Sequence, residues 1–475
     1  MELGIYKISN SEFLHSYHPE VVNKLGKSTK YGCDVLIWNN NYDFHSGMLE
    51  NFPKLKLLIN WGTDDANLTD LSALQRRIVV KKVDFYAQQS VCEYVLMLMV
   101  AFEHSQEKVF NGVRNYTRQL YGKRIGIIGL GKIGFSLARF LHTSFNCKIF
   151  YNTTKDYSLP DYKYEPKENL VKMCDYLIIV AKSRTCKLDA RTLRQANPDL
   201  VILNISRDRI LPFSKISPYL RRGKIRGFIG DVTTDKPSKA VAKRVLIAPK
   251  IGYQTKEARE LKQNIVLYYL KQHVLRESGR KSHVYIARHG RTTWNERGIY
   301  QGILDSPLTK GGKTEAGAVS GFILGKNIKR IFSSPLGRAQ ETARIISETL
   351  NVPISTIPSF TEMNFGVFQQ KSQEQVKKLF SDFFVHRSKN PYYKLLEPYP
   401  SGESYYDVYQ RVLADVMKLL IAHDNFLIVG HESVNRMIRG IITGKSLTDM
   451  VNSRQKNNEL VAIELSENIE NTIVA

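Results

Sequence analysis

The sequence predicts an α/β protein in which a doubly wound parallel sheet is followed by a second α/β unit, on three observations. Short apolar runs alternate with segments of helical spacing across residues 124–232, the pattern of parallel strands covered by helices on both faces. A glycine-rich stretch, Gly129–Gly134, lies directly between one such strand and the next helix. Past the polar stretch Arg276–Ser282 the pattern starts afresh with an apolar strand, Val284–Ala287, that runs into an Arg-His-Gly turn.

Length and composition bound the answer. The chain has 475 residues, room for about two to four domains. It is 43% hydrophobic and 24% charged, which excludes a disordered chain, a collagen and a coiled-coil rod. The longest apolar stretch, around Val95–Phe102, falls far short of the ~20 residues that cross a bilayer. The opening MELGIYKISN has neither a basic n-region nor an apolar h-region. Cys33, Cys92, Cys147, Cys174 and Cys186 form no CxxC pair and are too scattered for a disulfide framework. A cytoplasmic protein with no membrane partner is expected. The 69 basic and 45 acidic residues give a formal net charge of +24. Up to Arg280 there are 45 basic and 26 acidic residues, and beyond it 24 and 19, so the excess is concentrated in the first part. The cations are dispersed rather than gathered in an arm or stripe. They read as solvated faces and phosphate-bearing ligands, and nucleic acid is not expected as a partner.

Within the first part, strands are expected at Arg124–Gly129, Lys148–Tyr151, Tyr176–Val180, Leu200–Asn204 and Gly227–Val232, with a helix about Phe135–His142. The segment Gly129-Leu-Gly131-Lys132-Ile133-Gly134 is then a GxGxxG between strand and helix. Its first glycine permits the tight turn, the second lets backbone approach a pyrophosphate, and the third lets helix and strand pack closely. Phosphates would sit at the helix N-terminus, where free N–H groups and the dipole favour negative charge. At the end of the next strand, where a carboxylate would bind the ribose of NAD, stand Asn152, Thr153, Thr154 and Lys155. Without a carboxylate to repel a 2′-phosphate, and with Lys155 to attract one, NADP is favoured over NAD.

Over roughly residues 30–270 the chain resembles the D-isomer-specific 2-hydroxyacid dehydrogenases. The pieces are Ser90-Val-Cys-Glu-Tyr94, the nucleotide loop, Asn204-Ile-Ser-Arg207-Asp208, Gly230-Asp231-Val232 and Pro249-Lys-Ile-Gly252. The resemblance implies a Rossmann-type domain and a discontinuous substrate domain, made from the first ~100 residues and a returning helix, Thr255–His273. It makes Arg207 the substrate-binding arginine and places Asp231 at the strand end before the catalytic glutamate. The family's proton-donating histidine and its orienting glutamate are here Lys250 and Lys236. Two lysines at one site would repel, lowering a pKa and allowing Lys250 to act as a general acid. Otherwise this part binds a dinucleotide without turnover and regulates its neighbour.

In the second part, phosphoryl transfer to a side chain needs an uncharged nucleophile, cations for the oxygens, and an acid for the leaving group. His289 is the candidate nucleophile, Arg288 and Arg338 are planar forks for phosphate oxygens, and His431 ends a strand at Phe426–Val429. Glu362 is the candidate acid and, later, the base that activates water. These segments resemble the histidine phosphatases of the phosphoglycerate mutase superfamily over nearly all of residues 283–465. The match lies in Arg288-His-Gly-x-Thr-x-x-Asn295, Gln301-Gly302-x-x-Asp305-x-Pro-Leu-Thr309 and Ser333-Ser-Pro-x-x-Arg338-Ala339. The resemblance implies a three-layer α/β domain, a phosphohistidine intermediate and no metal or cofactor, with Asn295, Gln301 and Gly302 in the substrate-contacting stretch. Gln369-Gln370 stands where many members have Glu-Gly, outside these pocket residues. At 193 residues from His283 on, a phosphatase is favoured over a mutase, which generally needs extra segments to close over its pocket.

The resulting division is 1–100 for a substrate-domain-like part, 101–252 for the dinucleotide-binding domain, 253–282 for a returning helix and linker, and 283–475 for the phosphatase. A small phosphorylated metabolite is the expected ligand, and a homodimer is left open.

Overall fold

A computed structural model describes residues 3–7, 25–27, 33–38, 49–50, 52–61, 78–104, 117–154, 156–181, 188–206, 210–230, 237–389 and 391–466. Three sheets organise them. The first holds β1 (Leu3–Lys7), β2 (Leu25–Lys27), β3 (Val35–Trp38), β4 (Leu57–Asn60) and β5 (Val79–Lys82) in the order β2-β1-β3-β4-β5, all parallel. Its central strands are unbroken apolar runs, Val35–Trp38 and Leu57–Ile59, because both faces of a parallel sheet are covered.

The second sheet holds β6 (Arg124–Ile128), β7 (Lys148–Asn152), β8 (Tyr162–Tyr164), β9 (Tyr176–Ile179), β10 (Val201–Asn204), β11 (Gly227–Gly230) and β12 (Val245–Ile247). Their order is β12-β11-β10-β9-β6-β7-β8, again all parallel. The chain runs outward from β6 in one direction through β7 and in the other through β9. The ends of β6 and β9 therefore flank the switch point, where open α/β sheets bind their ligands. Leu170, Leu177, Ile179, Leu193, Ile202, Leu220 and Phe228 form the core on one face.

The third sheet holds β13 (His283–Arg288), β14 (Arg330–Ser333), β15 (Ile354–Thr356), β16 (Phe426–Gly430) and β17 (Leu460–Glu464) in the order β15-β14-β16-β13-β17. Only β17 runs antiparallel to its neighbour. On one face Tyr285, Ala287, Ile331, Leu427 and Val429 pack with Val319 and Ile323 of the helix Lys310–Ile323 and with Ala339, Ala343 and Ile346 of the helix Gly337–Leu350. The alternate strand residues Val284, Ile286, Phe426 and Ile428 are equally buried, so both faces are covered.

These elements form two compact units, Phe85–Glu260 and Met1–Asp84 together with Leu261–Ala475. The returning helix reaches from Lys256 to Ser278, past the expected end at His273 and into the polar stretch read as linker. Its side chains reach the first sheet through the Tyr269 hydroxyl, which donates to Lys82 O at 2.9 Å, and through the Glu277–Lys56 ion pair. They reach the third sheet's surroundings through Lys271 Nζ, which lies 2.6 Å from His423 O and 2.9 Å from Asp424 Oδ1. Ser282 closes the join: it is buried, its hydroxyl donates to Asp424 O at 2.7 Å, and its carbonyl accepts from Leu465 N at 2.8 Å. The polar groups of the stretch are spent on neighbours: Ser278 and Ser282 on backbone carbonyls, Arg280 and Lys281 on the carboxylates of Asp424 and Glu464.

Among the described residues no helix is long and apolar enough to cross a membrane, and Cys33, Cys92, Cys147 and Cys174 are buried free thiols.

Candidate active site

The carboxyl ends of three adjacent strands build the phosphatase-like site. Arg288 ends β13 and His289 follows it, Ser334 follows β14, and His431 follows β16. Parallel pairing of β13 and β14 with β16 brings these ends together, so the sheet register itself delivers two imidazoles to one place. The rings of His289 and His431 lie 5.2 Å apart, centroid to centroid.

His289 is 3% exposed. Its backbone is pinned by Gly430 O, which accepts from His289 N at 3.0 Å, and by Asn457 Nδ2, which donates to His289 O at 2.8 Å. Ring atom Nδ1 lies 2.8 Å from Gly290 O. A carbonyl can only accept, so Nδ1 carries the proton and the lone pair is left on Nε2. Burial, followed by the nearby charges of Arg338 and Arg288, holds the pKa of His289 well below the ordinary imidazole range. The ring is uncharged at neutral pH, with its free lone pair on Nε2. Gly290 has no room for a side chain, because a Cβ there would lie 2.2 Å from Gly312 O.

Arg338 is 2% exposed yet carries a guanidinium. It donates to Gly302 O (2.8 Å), Leu304 O (2.7 Å) and Asp305 Oδ1 (2.9 Å). Three acceptors hold the fork in one orientation and leave its Nε without a partner. Arg288 behaves similarly: Nη1 reaches Gln455 O at 3.1 Å and Glu432 Oε2 at 3.1 Å, and Nε is unpartnered. His431, fully buried, lies with Nε2 2.7 Å from Ser334 Oγ and Nδ1 unpartnered. Buried polar atoms in native folds find partners. Three side chains near His289 each keep one buried donor or ring nitrogen unspent, the kind of group an oxyanion would engage.

Glu362 is 6% exposed and accepts from Met363 N at 2.8 Å and Ser433 N at 3.4 Å. Burial pushes its pKa above the usual carboxylate range, against the opposing pull of Met363 N, Arg338 and Arg288. The segment is fixed by Arg411, whose Nη2 donates to Thr361 O (2.7 Å) and Glu362 O (3.3 Å) while its Nε pairs with Glu403 at 2.8 Å.

Five sequence-selected residues thus converge: Arg288, His289, Arg338, Glu362 and His431. Asn295, Gln301 and Gly302, expected in the substrate-contacting stretch, are engaged in holding the site. Asn295 Oδ1 closes a capping box with Thr292, and Gln301 Nε2 donates to Thr292 Oγ1 at 2.9 Å. Gly302 contributes its carbonyl to Arg338. Gln369 is closer to the pocket than its sequence position implied. Its Oε1 accepts from Ile303 N at 2.9 Å and would lie 2.1 Å from a Cβ at Gly302. Gln370 occupies the left-handed region at φ 65°, which explains why a glycine suits that position. Sequence reasoning gave no role to Thr342, which accepts from Gly290 N at 3.0 Å and donates to Arg338 O at 2.7 Å. Its spacing of four from Arg338 along one helix was the available signal.

In the other compact unit, Gly129 adopts φ 99°, and a Cβ there would lie 2.9 Å from the Ala181 backbone. A Cβ at Gly134 would lie 2.0 Å from Gly129 O, whereas one at Gly131, the N-cap of Lys132–Phe145, would meet nothing within 4 Å. Two glycines are required by packing and one opens onto free space before the helix N-terminus, so the loop fits a pyrophosphate. Lys132 Nζ lies 3.3 Å from the centre of the Phe85 ring. Asn152 Nδ2 is spent on Glu165 O at 2.9 Å, so it is tied to the neighbouring loop rather than held free for a ribose. Ile133 is half-buried in the first turn of the helix, and Thr153 O accepts from the Tyr164 hydroxyl at 3.5 Å. Lys250 is exposed. The turn that carries it packs on Tyr94, whose hydroxyl donates to Pro249 O and whose ring would be met by a Cβ at Gly252. Lys155, Arg207, Asp231 and Lys236 lie outside the described residues.

Two imidazoles, two guanidiniums and a buried carboxyl are thus gathered at the carboxyl ends of adjacent strands. The chain belongs to the histidine phosphatase superfamily (branch 1), whose family model matches residues 284–473. Residues 94–252 match the NAD binding domain of the D-isomer specific 2-hydroxyacid dehydrogenases. The chain is 31% identical over 183 residues to a Hydrogenobacter thermophilus protein provisionally named phosphoserine phosphatase 2, covering 38% of this chain and 89% of that one. It is 30% identical over 192 residues to the rat 6-phosphofructo-2-kinase/fructose-2,6-bisphosphatase 3, covering 40% of this chain but only 32% of that one. Among solved structures, one provisionally titled as a D-isomer specific 2-hydroxyacid dehydrogenase, from Polaromonas sp. JS6 66, superposes with a TM-score of 0.50 at 18% identity. It covers 58% of this chain and 98% of its own, a likeness of fold.

Proposed function

We propose that the C-terminal part hydrolyses the phosphomonoester of a small phosphorylated metabolite through a phosphohistidine on His289, without a metal ion. The observation that carries this is the convergence of unspent Arg288 Nε, Arg338 Nε and His431 Nδ1 about a buried, uncharged imidazole. In the first step His289 Nε2 attacks phosphorus and the P–O ester bond breaks. The leaving oxygen takes the proton that burial keeps on Glu362. Arg288 and Arg338 bear the charge on the phosphoryl oxygens, and His431 donates from Nδ1 while Ser334 Oγ holds its Nε2. In the second step the Glu362 carboxylate takes a proton from water, the oxygen attacks phosphorus, and the N–P bond to His289 breaks. Inorganic phosphate leaves and Glu362 is again protonated. Turnover of p-nitrophenyl phosphate by the wild type, lost by at least a hundredfold in His289→Asn, is the expected result. An unchanged rate in that variant would remove His289 from the reaction.

For the N-terminal part we propose dinucleotide binding at Gly129–Gly134, NADP or NAD, with the pyrophosphate on the amides opening the helix Lys132–Phe145. A nicotinamide dinucleotide, when bound, supplies or accepts a hydride. The exposure of Lys250 favours the reading in which this region senses the dinucleotide and regulates the phosphatase, since the turn presents its side chain to water. Fluorescence titration of the full chain with NADPH and NADH tests binding, and the phosphatase rate with and without each tests regulation.

A further inference from the structure

Glu432, the first residue of the helix Glu432–Thr443, follows His431 directly. As Asp305 pairs with Arg338, so Glu432 pairs with Arg288, the other arginine of the pocket. Its Oε2 lies 3.1 Å from Arg288 Nη1, and its Oε1 pairs with Arg436 Nη2. Arg436 is itself buried, with Nη1 2.6 Å from the Tyr405 hydroxyl and Nε unpartnered. The charge of Glu432 also acts on Lys394 and on the Glu362 carboxyl. One carboxylate therefore spans the gap between a phosphate-pocket arginine and a second buried arginine, on the side where Ser433 N meets the candidate acid.

We propose that Glu432 is a specificity-determining residue that selects single phosphomonoesters against substrates bearing a second phosphate on the departing alcohol. The inference rests on the phosphatase reading above. Arg436, with a buried fork and a tyrosine hydroxyl beside it, is the cation a second phosphate would seek. Glu432 already occupies it. A second phosphate must either displace the carboxylate or lie against it. Two like charges a few ångströms apart at an effective dielectric of ~20 repel by enough to weaken binding about tenfold or more. Lys394 Nζ, which donates to Asn452 Oδ1 at 2.9 Å, keeps the surroundings cationic, so the discrimination falls on dianionic groups at Arg436 rather than on every anion.

The test is competitive inhibition of p-nitrophenyl phosphate hydrolysis by fructose 6-phosphate and by fructose 1,6-bisphosphate. The wild type is expected to bind the bisphosphate no more tightly than the monophosphate. Glu432→Gln should tighten the bisphosphate about tenfold while moving the monophosphate less than about threefold, and Glu432→Asp should keep the wild-type ratio. Parallel changes for both inhibitors, or none, would overturn the proposal, since Glu432 would then only position Arg288. A wild type that already prefers the bisphosphate tenfold overturns it without any variant. If the wild type does not turn over p-nitrophenyl phosphate at all, the phosphatase reading fails and this inference falls with it.

Discussion

Replacing Glu362 by Gln separates proton donation from everything else the site does. The amide has the same shape, and one of its two heads can still accept from Met363 N at 2.8 Å. The other then places an N–H group toward Ser433 N, now 3.4 Å from Oε2, a contact already long and cheap to lose. The buried fold around Arg411 and Glu403 is untouched. What disappears is the proton. General acid catalysis contributes about 10²–10⁴ in rate, so hydrolysis of an alkyl phosphate should fall by that factor. A p-nitrophenolate leaves without help, so p-nitrophenyl phosphate should lose less than about tenfold in the first step. The pH dependence follows from direction alone. Burial raises the pKa of Glu362, so the competent acid persists above the ordinary carboxylate range and is lost as pH rises through that raised value. The alkyl phosphate rate should decline on this alkaline limb in the wild type and flatten in Glu362→Gln. Steady-state rates on both substrates across pH, with a rapid-quench burst to isolate the first step, measure this. Equal losses on the two substrates, or an alkyl phosphate rate within threefold of wild type, would refute the assignment of Glu362 as acid.

Other substitutions probe the remaining geometry. Arg338→Lys loses the fork that reaches Gly302 O, Leu304 O and Asp305 together. Its kcat/KM should fall by about 10²–10³, the loss typical of one preorganised oxyanion contact, while a lysine rate within fivefold of wild type would contradict the role given to Arg338 Nε. Gly134→Ala must push against Gly129 O from 2.0 Å. We expect about 1–3 kcal/mol of destabilisation and loss of NADPH quenching, with phosphatase rates retained at temperatures where the variant is folded. Gln370→Gly relieves a left-handed φ of 65°. After the entropy cost of glycine, a gain of about 0.5–1 kcal/mol in a thermal melt is expected, with kcat unchanged.

The strand-to-turn junctions were the legible part of this protein. His289 and His431 follow apolar strands, and a nucleophile at the carboxyl end of a parallel strand is a local pattern. The sheet order β14-β16-β13 that unites them is not local, because strands far apart in sequence must be paired first. The glycine loop was legible for the same reason, and Gly129 and Gly134 are each explained by a contact of the expected kind. The short edge strands β8 and β12 escaped, since a three-residue strand carries no periodicity to read. The five-stranded sheet of the first 84 residues was read only through a family resemblance, its strands being three to five residues long. The returning helix ran past its expected end because Arg276 and Glu277 are polar for a tertiary reason: Glu277 pairs with Lys56, and Arg276 Nη2 lies 2.8 Å from His273 Nδ1. Glu432 and Thr342 were hidden differently. Each lies within or beside a motif, but only the fold shows which cation or amide it touches. The hydrogen bond from Asn152 Nδ2 to Glu165 O is likewise non-local, since β8 brings that acceptor near.

The most direct test of the account is chemical trapping. Full-length protein mixed with a ³²P-labelled phosphomonoester that it hydrolyses, then quenched in alkali within milliseconds, should carry an acid-labile, alkali-stable label. Peptide mapping should place that label on His289, and His289→Asn should carry none. Turnover without any such label, or a label on another residue, would contradict the central claim that this buried imidazole receives the phosphoryl group.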